Sequence, residues 1–189
     1  KSINIVEQVL NNFNEEITKS LKSNKCDSQG ITNKKNNIMF VEQENKELGF
    51  VGTPKEINQS IIEGIVKEKK VPVIAPLGLD KDNQVFNINA DTAAGAIAKK
   101  LNARRLIILS DVAGVLDDNK KLISEIDTNK INELIRNKII ISGMIPKINN
   151  CLDVASNGVK GVCIIDGRLN HSVLFELLSD KGSGTLIRL

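Results

Sequence analysis

Ile3, Val6, Leu10, Phe13, Ile17 and Leu21 recur at helical spacing and predict an opening helix with one buried face. The polar stretch KSNKCDSQGITNKKNN that follows reads as a loop, and IMFVEQ and LGFVGT read as two strands joined by a turn. Residues 57–70 predict a helix with Ile61, Ile62, Ile65 and Val66 inward. That helix leads into VPVIAPL, a run short enough for one buried strand. GLDKDNQVF has the composition of a turn or hairpin. Ala90, Ala93, Ala94, Ile97, Ala98 and Leu101 then trace another helix, which Asn89 is suited to cap.

The second half repeats the alternation. LIIL, residues 106–109, predicts a buried strand ending in Ser110 and Asp111. Residues 128–137 read as a helix, and GMIPKINNCLDVASNG as another with Ile145, Ile148, Leu152 and Ala155 on one face. GVCIID is a strand, residues 171–179 a helix, and GTLIRL a closing strand. Helices alternating with short apolar runs predict an α/β fold, a three-layer α/β/α sandwich around a mainly parallel central sheet. In such sheets ligands bind beyond the carboxyl ends of the strands, which brings forward three loops: NINAD, SDVAGV and DGR. Neither a GxGxxG nor a GxxxxGK[ST] pattern occurs.

Composition narrows the picture. The 189 residues are 41% hydrophobic, enough to bury a core, with no internal repeat and no low-complexity linker. The 26 basic and 23 acidic residues are interleaved, and the chain has no Trp, no Tyr and five Phe, which argues against a nucleic-acid surface. Cys26, Cys151 and Cys163 are widely spaced and His171 stands alone, so packing thiols in a reducing compartment are expected rather than a metal site or a disulfide framework. No apolar run reaches the length of a membrane span, and a soluble intracellular protein is expected. The chain opens on Lys1 rather than Met, so it reads as processed or as a piece of something longer.

Two charged residues sit at helix starts. Asp91 falls in a first turn, where the helix dipole favours a carboxylate by roughly 0.3–1 kcal/mol, and this alone would account for it. Lys147 follows Gly143 and Pro146, the latter suited to the first position of a helix, and so lies at the end that disfavours a cation. A solvated stem is one reading of Lys147, and an anion bound at the helix start is the other.

Taken together, NINADTAAGAIAKKL, LIILSDVAGVLD, ISGMIPKINNCLDVASNGV, IIDGR and GSGT, with LGFVGTPKEI upstream, resemble the N-acetyl-L-glutamate kinases of the amino acid kinase family. The resemblance runs from about Ile5 to the C-terminus. It implies ATP and Mg²⁺ as cofactors and transfer of a phosphoryl group to the side-chain carboxylate of N-acetyl-L-glutamate, an early step of arginine biosynthesis. By the same resemblance Asn87 matches a substrate-binding asparagine, Asp91 an aspartate that holds phosphate-clamping lysines, and Lys147 one of those catalytic lysines. Asp111, Val112, Ala113, Gly114, Val115 and Leu116, with Ile139, Ile140 and Ile141, match segments lining the ATP site. Glu176 and Gly182 match positions of an arginine effector site. The resemblance also implies a homo-oligomer, a PII-type regulator as partner, and, with the Asn, Ile and Lys richness, a cytoplasmic or plastid setting.

The departures are specific. No glycine-rich loop with a second lysine, no HGGG-like segment and no substrate arginine is present, so the chain reads as the C-terminal two thirds of such a domain, without its N-terminal strands and with an exposed sheet edge. Residues 1–86 would be the end of the substrate-side half and 87–189 the nucleotide half. Cys163 stands where regulated members have a histidine, which predicts weak or absent inhibition by L-arginine. Ser142 replaces a glycine, and GITNKK, residues 30–35, replaces a GxSGxD-like turn in which Asn33 would take the left-handed position and Lys35 stands in place of an acid. A kinase of the glutamate 5-kinase or aspartokinase type, or a catalytically silent nucleotide- or partner-binding chain, are the alternatives.

Overall fold

The computed structural model describes residues 2–141 and 143–188. Ser142 therefore lies outside the described residues. The chain forms an α/β fold in two compact units, Lys1–Ile97 and Ala98–Leu189.

The first unit opens with α1 (Ser2–Ser23). Its inward positions are Ile3 and Asn14, while Phe13 is 56% exposed, contrary to the face expected from spacing. Asn14 takes the inward place because its side-chain amide donates to the carbonyls of Val73 (2.8 Å) and Ile31 (3.4 Å), where two strands end. Those strands are β1 (Ser28–Ile31) and β4 (Val71–Ile74), a parallel pair in register Ser28 with Val71. β1 lies inside the segment that composition marks as loop. Its strand character comes from pairing with residues some forty positions away, which local polarity does not encode.

β2 (Met39–Gln43) is the first of the two expected strands, but the second, β3 (Gly52–Ile57), starts four residues later than LGFVGT, whose Leu48 belongs to a 3-10 turn over Lys46–Leu48; the two strands are antiparallel. α2 spans Gln59–Lys67, shorter than expected, burying Ile62 and Ile65 but leaving Val66 54% exposed. The run VPVIAPL is two strands rather than one. β4 ends at Ile74 and β5 (Leu77–Leu79) joins β2 in parallel and β6 (Val85–Asn87) in a hairpin. Between them lies Pro76, which lacks an N–H for a ladder but accepts from the Ile88 N–H (2.9 Å). No residue of GITNKK is left-handed; that conformation falls on Asn36 (φ 60°), just past it, and not on Asn33. Asn33 is buried instead, donating to Glu7 Oε1 (2.7 Å) and accepting from the Asn11 amide (3.2 Å). Nothing in the structure explains Lys35.

Helix α3 (Ala90–Lys100) starts as expected, with Asn89 Oδ1 accepting from the N–H groups of Asp91 (3.0 Å) and Thr92 (3.2 Å).

The second unit holds one four-stranded sheet in the order β7 (Leu106–Ser110), β9 (Val162–Asp166), β10 (Thr185–Ile187), β8 (Glu125–Ile126). β7 and β8 run parallel to their neighbours, whereas β10 is antiparallel to β9. Among the described residues four strand pairs are parallel and three antiparallel. β8 is too short to leave a pattern in the sequence. All five residues of β9 are buried, the signature of a strand covered on both faces. Ile164 packs in one core with Ile131 and Leu134 of α4 (Thr128–Arg136) and with Ile148, Cys151 and Val154 of α5 (Met144–Ser156). Each such isoleucine or leucine, fully removed from water, contributes about 1.5–3 kcal/mol. The inward face of α5 is rotated from expectation, since Ile145 and Leu152 are only partly buried. α6 (Ser172–Leu178) follows a left-handed His171 (φ 63°). Among the described residues no helix is long and apolar enough to cross a membrane.

Candidate active site

The carboxyl end of β7 opens into a loop that turns back on itself. Leu116 bridges Leu122, Ile123 N–H donates to the Val115 carbonyl (2.9 Å), and the Asp117 carboxylate accepts from the N–H groups of Asn119 (2.9 Å) and Lys121 (2.8 Å). Gly114 stands at φ 139°, a conformation L side chains rarely adopt, and a Cβ there would lie 2.6 Å from Thr185 Oγ1. Glycine is required by both the backbone and the approach.

This loop walls a cavity of about 640 Å³. Residues 110–112 and 114–117 form one side, residues 139–141 after α4 another, and Gly143, Met144 and Lys147 at the start of α5 close it with Lys120. Ala113 sits within the same loop. Ile141 is 65% and Leu116 38% exposed, so the cavity offers apolar surface with aspartates and lysines around it. That combination suits a flat, partly apolar ligand carrying an anionic tail. The helix of Lys147 begins at Met144, which puts Pro146 third rather than first and Lys147 fourth. Proline is tolerated there because the first N–H groups of a helix have no intrahelical partner.

Beside the same strand ends lies the DGR turn. Asp166 is paired with Ser110 across β7 and β9, and Gly167 N–H donates to the Ser110 carbonyl (2.8 Å). Arg168 grips Asp166 twice, Nε to Oδ1 (2.9 Å) and Nη2 to Oδ2 (2.8 Å), and donates its backbone N–H to Oδ1 (2.9 Å). These bonds hold the Asp166 carboxyl well below the usual range, at about 2. Of the three loops expected to share a rim, SDVAGV and DGR meet in this unit. Asn87, at the end of β6, and Asp91, in the first turn of α3, belong to the first unit, and both are half-buried.

A second cavity, about 520 Å³, gathers Glu176 and Gly182 with Arg105, Ser124, Lys181 and Arg188. Glu176 is buried. Its carboxylate faces Arg105 Nη1 at 3.6 Å and accepts from the Ser183 N–H (2.8 Å). Burial, with the nearby Glu176 carboxylate adding to it, pushes the Cys163 thiol from its ordinary 9.0 up to about 12. Arg105, Ser183 and Thr185 carry no motif beyond GSGT in the sequence. Only strand order brings Arg105 to the second cavity, Ser183 to Glu176 and Thr185 to Val115.

The amino acid kinase family model matches residues 2–166. The chain is 67% identical over 187 residues, 99% of its length, to an acetylglutamate kinase of Pelagibacter ubique, and 41% identical over 188 residues to one of Ruegeria pomeroyi. It spans 65% and 66% of the lengths of those relatives. A solved structure from Streptococcus mutans UA159 superposes with a TM-score of 0.76 at 29% identity, covering 92% of this chain and 66% of that one. The relatives are bacterial, which gives no support to the plastid setting read from residue usage. With an α/β architecture that superposes on a solved relative and a family match over most of its length, the chain belongs to the amino acid kinase family.

Proposed function

We propose that the cavity walled by residues 110–117 and 139–141 is the ATP site of a kinase that phosphorylates the side-chain carboxylate of N-acetyl-L-glutamate, giving N-acetyl-L-glutamyl 5-phosphate for arginine biosynthesis. The observation that carries this reading is a largely apolar, glycine-turned cavity with Lys147 at a helix start on its rim, in a chain 67% identical to a protein named acetylglutamate kinase. Val112, Val115, Leu116 and Ile139 to Ile141 would hold the base, and Lys147 the phosphates. The acceptor carboxylate is ionised at neutral pH, so no general base is needed. Transfer then depends on alignment and on neutralising charge over the moving oxygens. Lys147 supplies a cation where the N-terminal N–H groups of α5 already favour an anion. Asp91 orients lysine charge, and Asn87 binds the acetylglutamate.

Among the described residues no group of three or more His, Cys, Asp and Glu could hold a metal by itself. Asp111 and Asp117 at the cavity fit an ion that arrives on the phosphates, as Mg²⁺ usually does. When bound, it would neutralise phosphate charge. The cavity around Glu176 and Gly182 belongs to the same reading as an effector site, with Cys163 in place of a histidine weakening or abolishing arginine inhibition. A homo-oligomer and a PII-type regulator extend that reading.

Calorimetry of the chain with Mg-ATP, beside a coupled ADP assay on a chimera that takes its remaining length from the Pelagibacter relative, tests the proposal. The chain alone is expected to bind Mg-ATP weakly and to release no acetylglutamate-dependent ADP. The chimera is expected to turn over, and Lys147→Ala in it to lower turnover at least about tenfold, roughly 1.4 kcal/mol on the barrier. A folded chain that binds no Mg-ATP, or wild-type turnover in the Lys147 variant, would refute the assignment.

A further inference from the structure

Val115 and Ile123 face each other in the loop that walls the larger cavity, yet only one direct bond joins them, Ile123 N–H to the Val115 carbonyl (2.9 Å). The complementary bond is replaced by a relay. Val115 N–H donates to Thr185 Oγ1 (2.8 Å), and that hydroxyl donates onward to the Ile123 carbonyl (2.6 Å). Thr185 is fully buried and Val115 is 1% exposed, so no water substitutes for either partner. A hydroxyl can accept and donate at once, whereas a methyl can do neither. Gly114 brings the loop within reach, since a Cβ there would collide with Thr185 Oγ1 and lie 3.1 Å from its backbone nitrogen.

We propose that Thr185 is a positioning residue for the nucleotide cavity: its hydroxyl closes the Val115–Ile123 pair and so fixes the wall formed by Gly114, Val115 and Leu116. It does not itself line that cavity's described rim. The inference rests on the nucleotide reading of the cavity and adds what holds its shape. With the relay broken, the Val115–Ile123 pair keeps one of the three bonds that hold it, and the wall against which a base would lie loses its fixed distance from the start of α5.

The test compares Thr185→Val, which keeps the shape and removes the hydroxyl, with Thr185→Ser, which keeps the hydroxyl. Ile187→Val is the control, since it trims a fully buried residue of the same strand and leaves the relay intact. Hydrogen exchange over residues 112–123 and calorimetric Kd for Mg-ATP are read on each. In Thr185→Val exchange is expected to accelerate and Kd to rise, each by about tenfold, the scale of one or two buried hydrogen bonds. Thr185→Ser is expected to restore both, and Ile187→Val to lower the melting temperature without moving Kd. Unchanged exchange in Thr185→Val, or faster exchange with wild-type affinity, overturns this inference alone. A wild-type chain that binds no Mg-ATP overturns the nucleotide reading along with it, and the exchange data then still report whether the hydroxyl holds the loop.

Discussion

Replacing Cys163 by serine is expected to remove most of an alkaline loss of stability. The thiol lies in β9 with no exposed surface, near the buried Glu176 carboxylate, so ionising it would put a second negative charge near the first on an atom that water does not reach. Burial is the largest cause of the rise, the nearby Glu176 carboxylate adds to it, and the Arg105 and Arg188 charges oppose it. In the unfolded chain the thiol ionises at its ordinary 9.0, and in the folded chain only at about 12. Between those values the unfolded state binds fewer protons than the folded state, so stability falls as pH rises. At roughly 1 kcal/mol or a little more per pH unit the loss is about 1 kcal/mol at pH 10 and about 3 kcal/mol at pH 11, and close to zero at pH 8. A serine hydroxyl does not titrate in this range. The assay is urea unfolding of both proteins at pH 8 and pH 10. The difference between wild type and Cys163→Ser should shift by about 1 kcal/mol between the two pH values. Parallel stability profiles in the two proteins would show that the thiol ionises no later folded than unfolded, and the argument from burial would fail.

Gly114→Ala combines a φ of 139° with contacts to Thr185 and Leu122 that a Cβ could not make, and should cost about 2–4 kcal/mol, read as a lower melting temperature; an unchanged melting temperature would refute the need for glycine. Asp166, held at about 2 by Arg168, contributes stability that is present above 3.8 and lost as pH falls toward 2. The melting-temperature gap between wild type and Arg168→Gln should therefore be widest above pH 4 and close as pH approaches 2. A gap independent of pH would remove the ion pair from the account.

The sequence carried the long elements because their apolar spacing is strong. Asn89 capping α3, the buried run of β9 and the helix after residue 128 are all local signals, and each lies where its signal puts it. The misreadings come from interactions that apolar spacing does not encode. Ser28–Ile31 is polar enough to read as loop and becomes a strand because β4 lies alongside. Pro76 breaks an apolar run that hydrophobicity alone reads as continuous. Phe13 yields the inward position to Asn14 because an amide can satisfy two strand carbonyls and a ring cannot. At the candidate site the loop after β7 and Lys147 are legible as motifs. The hydroxyl of Thr185 is not, since its two partners lie 62 and 70 residues away.

The strand that sits between β9 and β8 is made after every other described strand. During synthesis β7, β8 and β9 emerge first, yet β8 has no neighbour in the sheet until residues 185–187 leave the ribosome. Ribosomes add about 5–20 residues per second, so β8 waits seconds for a partner some sixty positions downstream. Until then the loop around Val115 lacks its anchor as well. A chain cut before Thr185 would lose more than its final strand. It would leave β9 with an open edge, release β8, and leave the cavity wall untethered, a species prone to pairing with its own kind.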